Sequence, residues 1–300
     1  MTNRLKAYLM LILTAAIWGF AAPIVKYTLE FVPPVDFLFY RFILVSAIFV
    51  GPFLISLKKT PIPLVQLIKL FLIGILGGPV TLLLIFFGAN RTTSLDASLI
   101  VAMAPVLIVV GGAFFLKEKV TRRENLGLAI ALCGTLFTII EPLISGSAFA
   151  QQHLLGNILT FSSNIAWAAY VMFIKKLSKS YSPLILTATT FFSGLLILTP
   201  LFFYSPASAG QITIPPQAFP GVIYMALFSS VIAYTTYNWG VALIEASEAT
   251  VFTYLQPVFA APLAFFWLKE AISRPFLIGV MLIAFGVFLT EYHPRKTKTS

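Results

Sequence analysis

The segment Asp96-Ala97-Ser98, followed by Pro105 and then Leu116-Lys117-Glu118, returns 152 residues later as Glu248-Ala249-Thr250, Pro257 and Leu268-Lys269-Glu270. The same offset joins Gly88 to Gly240, and Gly127 and Gly134 to Gly279 and Gly286. Upstream the offset is 149: Trp18 and Lys26 correspond to Trp167 and Lys175, and Pro34 to Pro183. Matches this numerous, in one order and with one small shift, define an internal repeat that divides the chain into residues 1–149 and 150–300.

Both copies consist of apolar runs. A bilayer core is ~30 Å thick and needs ~20 apolar helical residues to cross it. Ten runs meet that length: Ala7–Thr28, Asp36–Leu57, Leu67–Ala89, Asp96–Leu116, Asn125–Ile144, Leu155–Lys175, Leu184–Tyr204, Phe219–Ala242, Ser247–Leu268 and Phe276–Tyr292. They are apolar on every face and about twice the ~10 residues of a barrel strand. A helix also satisfies its own backbone groups in lipid. Connections such as Pro33-Pro34, Lys58-Lys59-Thr60-Pro61 and Pro215-Pro216 are short and break helices. Five runs per copy is an odd number, so the second copy enters the membrane from the other side. The expected fold is all-α and integral to the membrane: ten transmembrane helices forming two inverted five-helix repeats.

Composition agrees. Of 300 residues, 59% are hydrophobic and 10% charged, against about 25% charged in a soluble domain. That excludes a soluble enzyme, a disordered tail and a disulfide scaffold. Cys133, the single cysteine, has no internal partner and is expected to be a small buried thiol. The first run extends past a signal-like Phe20-Ala21-Ala22 to Thr28 and is expected to be retained as a helix. The formal charge of +10 comes from short basic clusters between the runs, not from a stripe suited to nucleic acid. With the N-terminus inside, fifteen of the twenty Lys and Arg fall on the cytoplasmic side. This predicts a multi-pass protein of the plasma or inner membrane with both termini cytoplasmic.

These features together resemble the drug/metabolite transporter superfamily, in its ten-helix EamA-type form. The likeness rests on Trp18-Gly19, the Leu-Lys-Glu loops at Glu118 and Glu270, the glycine pairs after them, and the duplicated five-helix plan. It implies a secondary carrier, often an exporter of amino acids, metabolites or drug-like compounds. It also implies a central cavity lined by helices 1, 3, 4, 6, 8 and 9. The first run, Thr14-Ala15-Ala16-Ile17-Trp18, carries no acid, unlike the four-helix small multidrug members of the superfamily. Coupling through an acid at that place is not expected, and facilitated flux or exchange stays open.

Polar groups in hydrocarbon are costly and should face protein or a wet cavity. Runs 6, 8 and 9 are the polar ones. Thr160, Asn164 and Trp167 share one helix face, and so do Ser230, Tyr234 and Tyr237, with Asn238 adjacent. Trp18, Asn164, Trp167, Tyr234, Tyr237, Asn238, Tyr254 and Gln256 are therefore the candidate substrate-binding residues, an aromatic wall with a few amides and hydroxyls suited to a small organic solute. Interhelical hydrogen bonds and interface aromatics are the competing account. Pro105 and Pro257 each remove one helical hydrogen bond, freeing the carbonyls of Val101 and Thr253; they are candidate conformational residues that bend the helix and shape the cavity. Gly77-Gly78-Pro79 is expected to serve close packing.

Arg41 lies about one and a half turns into run 2. It could pair with a substrate carboxylate, but the expectation is that it extends to the outer surface. Lys26 and Lys175 are expected as boundary charges, Asp96 and Glu248 as acids at helix starts, and Glu118 and Glu270 as partners for local backbone or Lys. Trp239 is expected at the membrane interface. Runs 5 and 10, with glycines seven residues apart, should face lipid or a second protomer, so a homodimer stays open. No catalytic motif, phosphate loop or metal-ligand cluster is present, so no enzyme activity, cofactor or metal is expected. The best function is a transporter exporting amino acids or related metabolites by alternating access. Other solutes (drug-like cations, nucleotide sugars) and a channel remain as alternatives.

Overall fold

The computed structural model describes residues 3–115, 122–144, 150–205, 213–244, 249, 251–270 and 274–291. Leu116, Lys117, Glu118, Ser247, Glu248 and Tyr292 lie outside the described residues, as does the side chain of Tyr254. Among the described residues there is no strand. The helices are α1 (Asn3–Thr28), α2 (Pro34–Lys59), α3 (Leu64–Ala89), α4 (94–115), α5 (Arg122–Ile144), α6 (Ala150–Leu177), α7 (Pro183–Phe203), α8 (Phe219–Leu243), α9 (251–266) and α10 (Arg274–Glu291). Seven of them, α1 to α4 and α6 to α8, are long and apolar enough to cross a membrane. Within α5, α9 and α10 the described apolar stretches are shorter: Ala129–Ile140, Gln256–Phe266 and Phe276–Gly286. The protein is an all-helical, multi-pass membrane protein.

Helix starts follow local chemistry. Pro34 and Pro183 occupy the first turns of α2 and α7, where a missing N–H costs nothing. The hydroxyl of Ser182 accepts from the Ile185 N–H, and that of Thr93 from the Asp96 N–H, capping α7 and α4. Asp96 stands in the first turn of α4, where an acid offsets the positive helix end.

Two helices contain π turns, at Leu76–Val80 of α3 and Met225–Tyr234 of α8. The Thr81 hydroxyl donates five residues back to the Leu76 carbonyl, and the Ser230 hydroxyl does the same to Met225 at 2.8 Å. These two pairs stand 149 residues apart. The π stretch spans 5 residues in α3 and 10 in α8. Past it, Gly88 and Gly240 stand 152 apart. A π turn absorbs an inserted residue without breaking the helix. The three extra residues of the second copy therefore enter between Ser230 and Gly240, a segment that begins inside the longer π stretch.

Packing is tight where glycine allows it. A Cβ on Gly77 would lie 2.3 Å from the ring of Tyr170, so α3 and α6 meet there only through glycine. α2 and α7 pack face to face, with the rings of Phe39 and Phe202 stacked at 4.1 Å. α5 and α10 do not leave their glycines to lipid or a partner: a Cβ on Gly134 would lie 2.7 Å from Leu282 Cβ, and one on Gly286 2.5 Å from the Ala131 nitrogen. The two helices cross at these glycines, because only a bare backbone permits so close an approach. Their other faces, with Leu136, Ile140, Met281 and Phe285, are exposed. Cys133 is exposed rather than buried, since the inward face of α5 is taken by Ala131, Gly134, Thr135 and Thr138. Leu9, Leu54, Leu72 and Leu196 also face outward, as a surface in contact with lipid tails requires.

Candidate functional site

A cavity with about 890 Å³ of empty space, part of it open, lies among α1, α2, α3, α4, α6, α8 and α9. Aromatic rings form its base. The indoles of Trp18 and Trp167 meet edge to face at 5.5 Å, and Tyr234 stands edge-on to both at 5.5 and 5.6 Å. Tyr237 lies against both indoles at 5.2 and 5.3 Å. Edge-to-face contacts of this kind set ring positions as well as burying area.

Hydrogen bonds fix the rings. Trp18 Nε1 donates to the Ser229 carbonyl at 3.1 Å, inside the π stretch of α8. The Tyr234 hydroxyl donates to the Gly77 carbonyl at 2.9 Å, in the π turn of α3. Each irregular turn thus holds one ring of the aromatic base. The polar lining includes Thr81, Ser98, Ser163, Asn164, Ser229, Thr253 and Gln256.

The structure brings Trp18, Asn164, Trp167, Tyr234 and Gln256 together on the cavity wall. Tyr237 and Asn238 are not on it. Tyr237 backs the two tryptophans, and Asn238 is buried with its amide donating to Thr187 Oγ1 at 2.9 Å and the Tyr170 hydroxyl at 3.4 Å. Helical spacing places Asn238 beside Tyr237, but α8 turns that face toward α6 and α7 and away from the cavity. The Tyr254 side chain lies outside the described residues. Part of Asn164 is also committed, since its amide donates to the Ile100 carbonyl at 2.6 Å.

Pro105 and Pro257 sit where their helices change character. α4 is interrupted at residues 102 and 103, just before Pro105. In α9 a 3-10 turn, Val251–Leu255, gives way to α-helix at Gln256, next to Pro257. Val101 and Thr253, each four residues before one of these prolines, both line the cavity.

Arg41 departs from expectation. It does not reach the outer surface; it is fully buried and lines the cavity. Its Nε donates to Ser230 Oγ at 2.6 Å and its Nη2 approaches Ser229 Oγ at 3.4 Å, while the guanidinium lies 5.9 Å from the centre of the Phe86 ring. The cavity supplies polar partners that lipid does not, so the charge turns inward. An isolated arginine inside an apolar run was the sequence signal for this place. Ser229-Ser230 on another run was the part that spacing could not connect to it.

The boundary lysines are hydrogen-bonded. Lys26 Nζ donates to the carbonyls of Ala89 and Thr92, at 3.0 and 2.6 Å, at the end of α3. Lys175 Nζ donates to those of Val241 and Ile244 at the end of α8. Glu270 accepts from the backbone N–H groups of Ser94 and Leu95 at 2.8 and 3.0 Å, at the start of α4. Trp239 is exposed near the end of α8.

A multi-pass helical bundle with an aromatic-lined cavity is compatible with a solute transporter, and comparison with known proteins shows the family. The profile of the EamA-like transporter family matches residues 5–140 and 154–292, and the chain belongs to that family. It is 27% identical to an uncharacterized transporter of Archaeoglobus fulgidus, over 95% of this chain and 98% of the relative. It is 29% identical to the uncharacterized transporter YyaM of Bacillus subtilis, over 95% and 93%. A probable terminal-alkyne amino-acid exporter of Streptantibioticus cattleyicolor is 26% identical, again over 95% and 93%. One solved crystal structure shares the fold with a TM-score of 0.69 at 18% identity, over 96% of this chain and 97% of that one.

Proposed function

We propose that the chain is a secondary carrier that exports amino acids or related small organic metabolites across the cell membrane by alternating access. All ten helices cross, α1 to α5 and α6 to α10 form inverted repeats, and both termini are cytoplasmic. The observation that carries this reading is the place of the cavity. Trp18 and Trp167, equivalent positions of the two sequence repeats, touch each other on its wall. A solute bound at such a seam contacts both halves, so a rocking motion of one against the other changes its exposure.

Further support comes from the lysines. The donor positions 26 and 175 stand 149 apart, and the acceptors 89 and 92 stand 152 from 241 and 244. Each half thus uses the same lysine to close the same helix end. The amino-acid class draws support from the Streptantibioticus relative and from a cavity that combines aromatic surface with a buried guanidinium, which disfavours cations.

Purified protein in liposomes tests the reading. A carrier shows saturable uptake accelerated by unlabelled solute on the far side. Flux that never saturates and shows no counterflow identifies a channel and removes the proposal.

A further inference from the structure

The cavity contains one charged group among its described lining residues, and that group lacks an ionic partner. Arg41 is 0% exposed, and its contacts are the two serine hydroxyls of α8 and the face of Phe86. No carboxylate among the described residues pairs with it. Its Nη1 atom is buried and makes no hydrogen bond to the protein. On the same edge of the guanidinium, Nη2 makes only the long contact of 3.4 Å.

An unpaired charge taken out of water costs several kcal/mol unless something compensates it. A bundle that keeps one at its cavity wall leaves that compensation to a guest. The planar fork of an arginine matches the two oxygens of a carboxylate. Ser229 fixes the geometry, because its hydroxyl meets Arg41 while its carbonyl accepts from the Trp18 indole. The cationic fork and the aromatic base are thus held to one residue of α8.

We propose that Arg41 anchors the carboxylate of the transported solute, and that the cavity selects carboxylates with an apolar or aromatic body, with simple organic cations excluded. This rests on the carrier reading and names the group by which that carrier recognises its solute. The carboxylate sits on the free edge of Arg41 and the body of the solute lies against Trp18, Trp167 and Tyr234.

The test uses the full chain in liposomes and three labelled probes that share a phenyl body: L-phenylalanine, 3-phenylpropionate and phenethylamine. Counterflow of the two carboxylates without counterflow of the amine is the expected pattern. Arg41→Gln should weaken both carboxylates by roughly thirtyfold or more, the scale of losing a buried charged partner. Arg41→Lys should restore only part of that, because an ammonium lacks the fork. Equal weakening of uptake for all probes would show that Arg41 only holds α8 in place, and would overturn the proposal. If the Gln variant does not accumulate, the wild-type series decides. Phenethylamine exchanging as well as the acids, or no counterflow of any of the three probes, overturns the Arg41 assignment and leaves the carrier standing; flux of the probes that never saturates and shows no counterflow overturns both.

Discussion

Trp18 and Trp167 occupy equivalent places in the two sequence repeats, and their indoles meet edge to face at 5.5 Å with an interplanar angle of 85°. Each ring is thus a wall of the cavity and a contact between the halves.

Truncating either ring should therefore weaken transport. Trp18→Ala and Trp167→Ala should each lower apparent affinity roughly tenfold to a hundredfold, the scale of one large side chain's burial. The double variant should lose less than the sum, by about 0.5–1.5 kcal/mol of ring–ring coupling. Gln256→Ala should cost less, about threefold to tenfold, as one neutral hydrogen bond. Wild-type affinity in Trp167→Ala and Gln256→Ala, at equal surface expression, removes these residues from the site.

Lys26 and Lys175 should matter for stability. Lys26→Met leaves the carbonyls of Ala89 and Thr92 without their donor, a loss of about 1–3 kcal/mol. Lys175→Met should cost a similar amount through Val241 and Ile244. The two lysines share no partner, so the double variant should be additive. Thermal unfolding in detergent measures this, and an unchanged midpoint in either single variant would show that water replaces the lysine.

The proposed inversion of the halves has a direct readout at Glu30 and Lys179, matching exposed positions 149 residues apart, just beyond the ends of α1 and α6. In a Cys133→Ser background, Glu30→Cys should react with a membrane-impermeant maleimide from outside intact cells. Lys179→Cys should react only after permeabilisation. Labelling of both from the same side rules out the inverted arrangement.

The crossing of α5 and α10 should tolerate no bulk. Gly286→Leu places a side chain where a Cβ already stands 2.5 Å from the Ala131 nitrogen, and a backbone atom cannot move aside as a flexible side chain does. Destabilisation of about 1–3 kcal/mol is expected. Leu136→Ala, on an exposed face of α5, should leave the unfolding midpoint nearly unchanged.

Much of the cavity wall followed from helical periodicity. Trp167 with Asn164 and Tyr234 on its own helix were legible because a polar or aromatic stripe on an apolar helix has to turn away from lipid. The same rule assigned Asn238, and there it was too coarse. A buried polar face can be satisfied by a neighbouring helix as well as by a cavity, and Asn238 donates to Thr187 and Tyr170. Spacing along one helix does not distinguish the two.

Sequence by itself determined the membrane-embedded helical class, because that is written in local quantities: the length of apolar runs and the solvent they require. Tertiary structure decided which way Arg41 turns, what the boundary lysines hold, and that α5 and α10 cover each other at their glycines. Those outcomes depend on partners in other helices, Ser229 and Ser230 for Arg41 and Leu282 for Gly134. A charge inside an apolar run has a known cost but no direction until the neighbouring helices supply its hydrogen bonds.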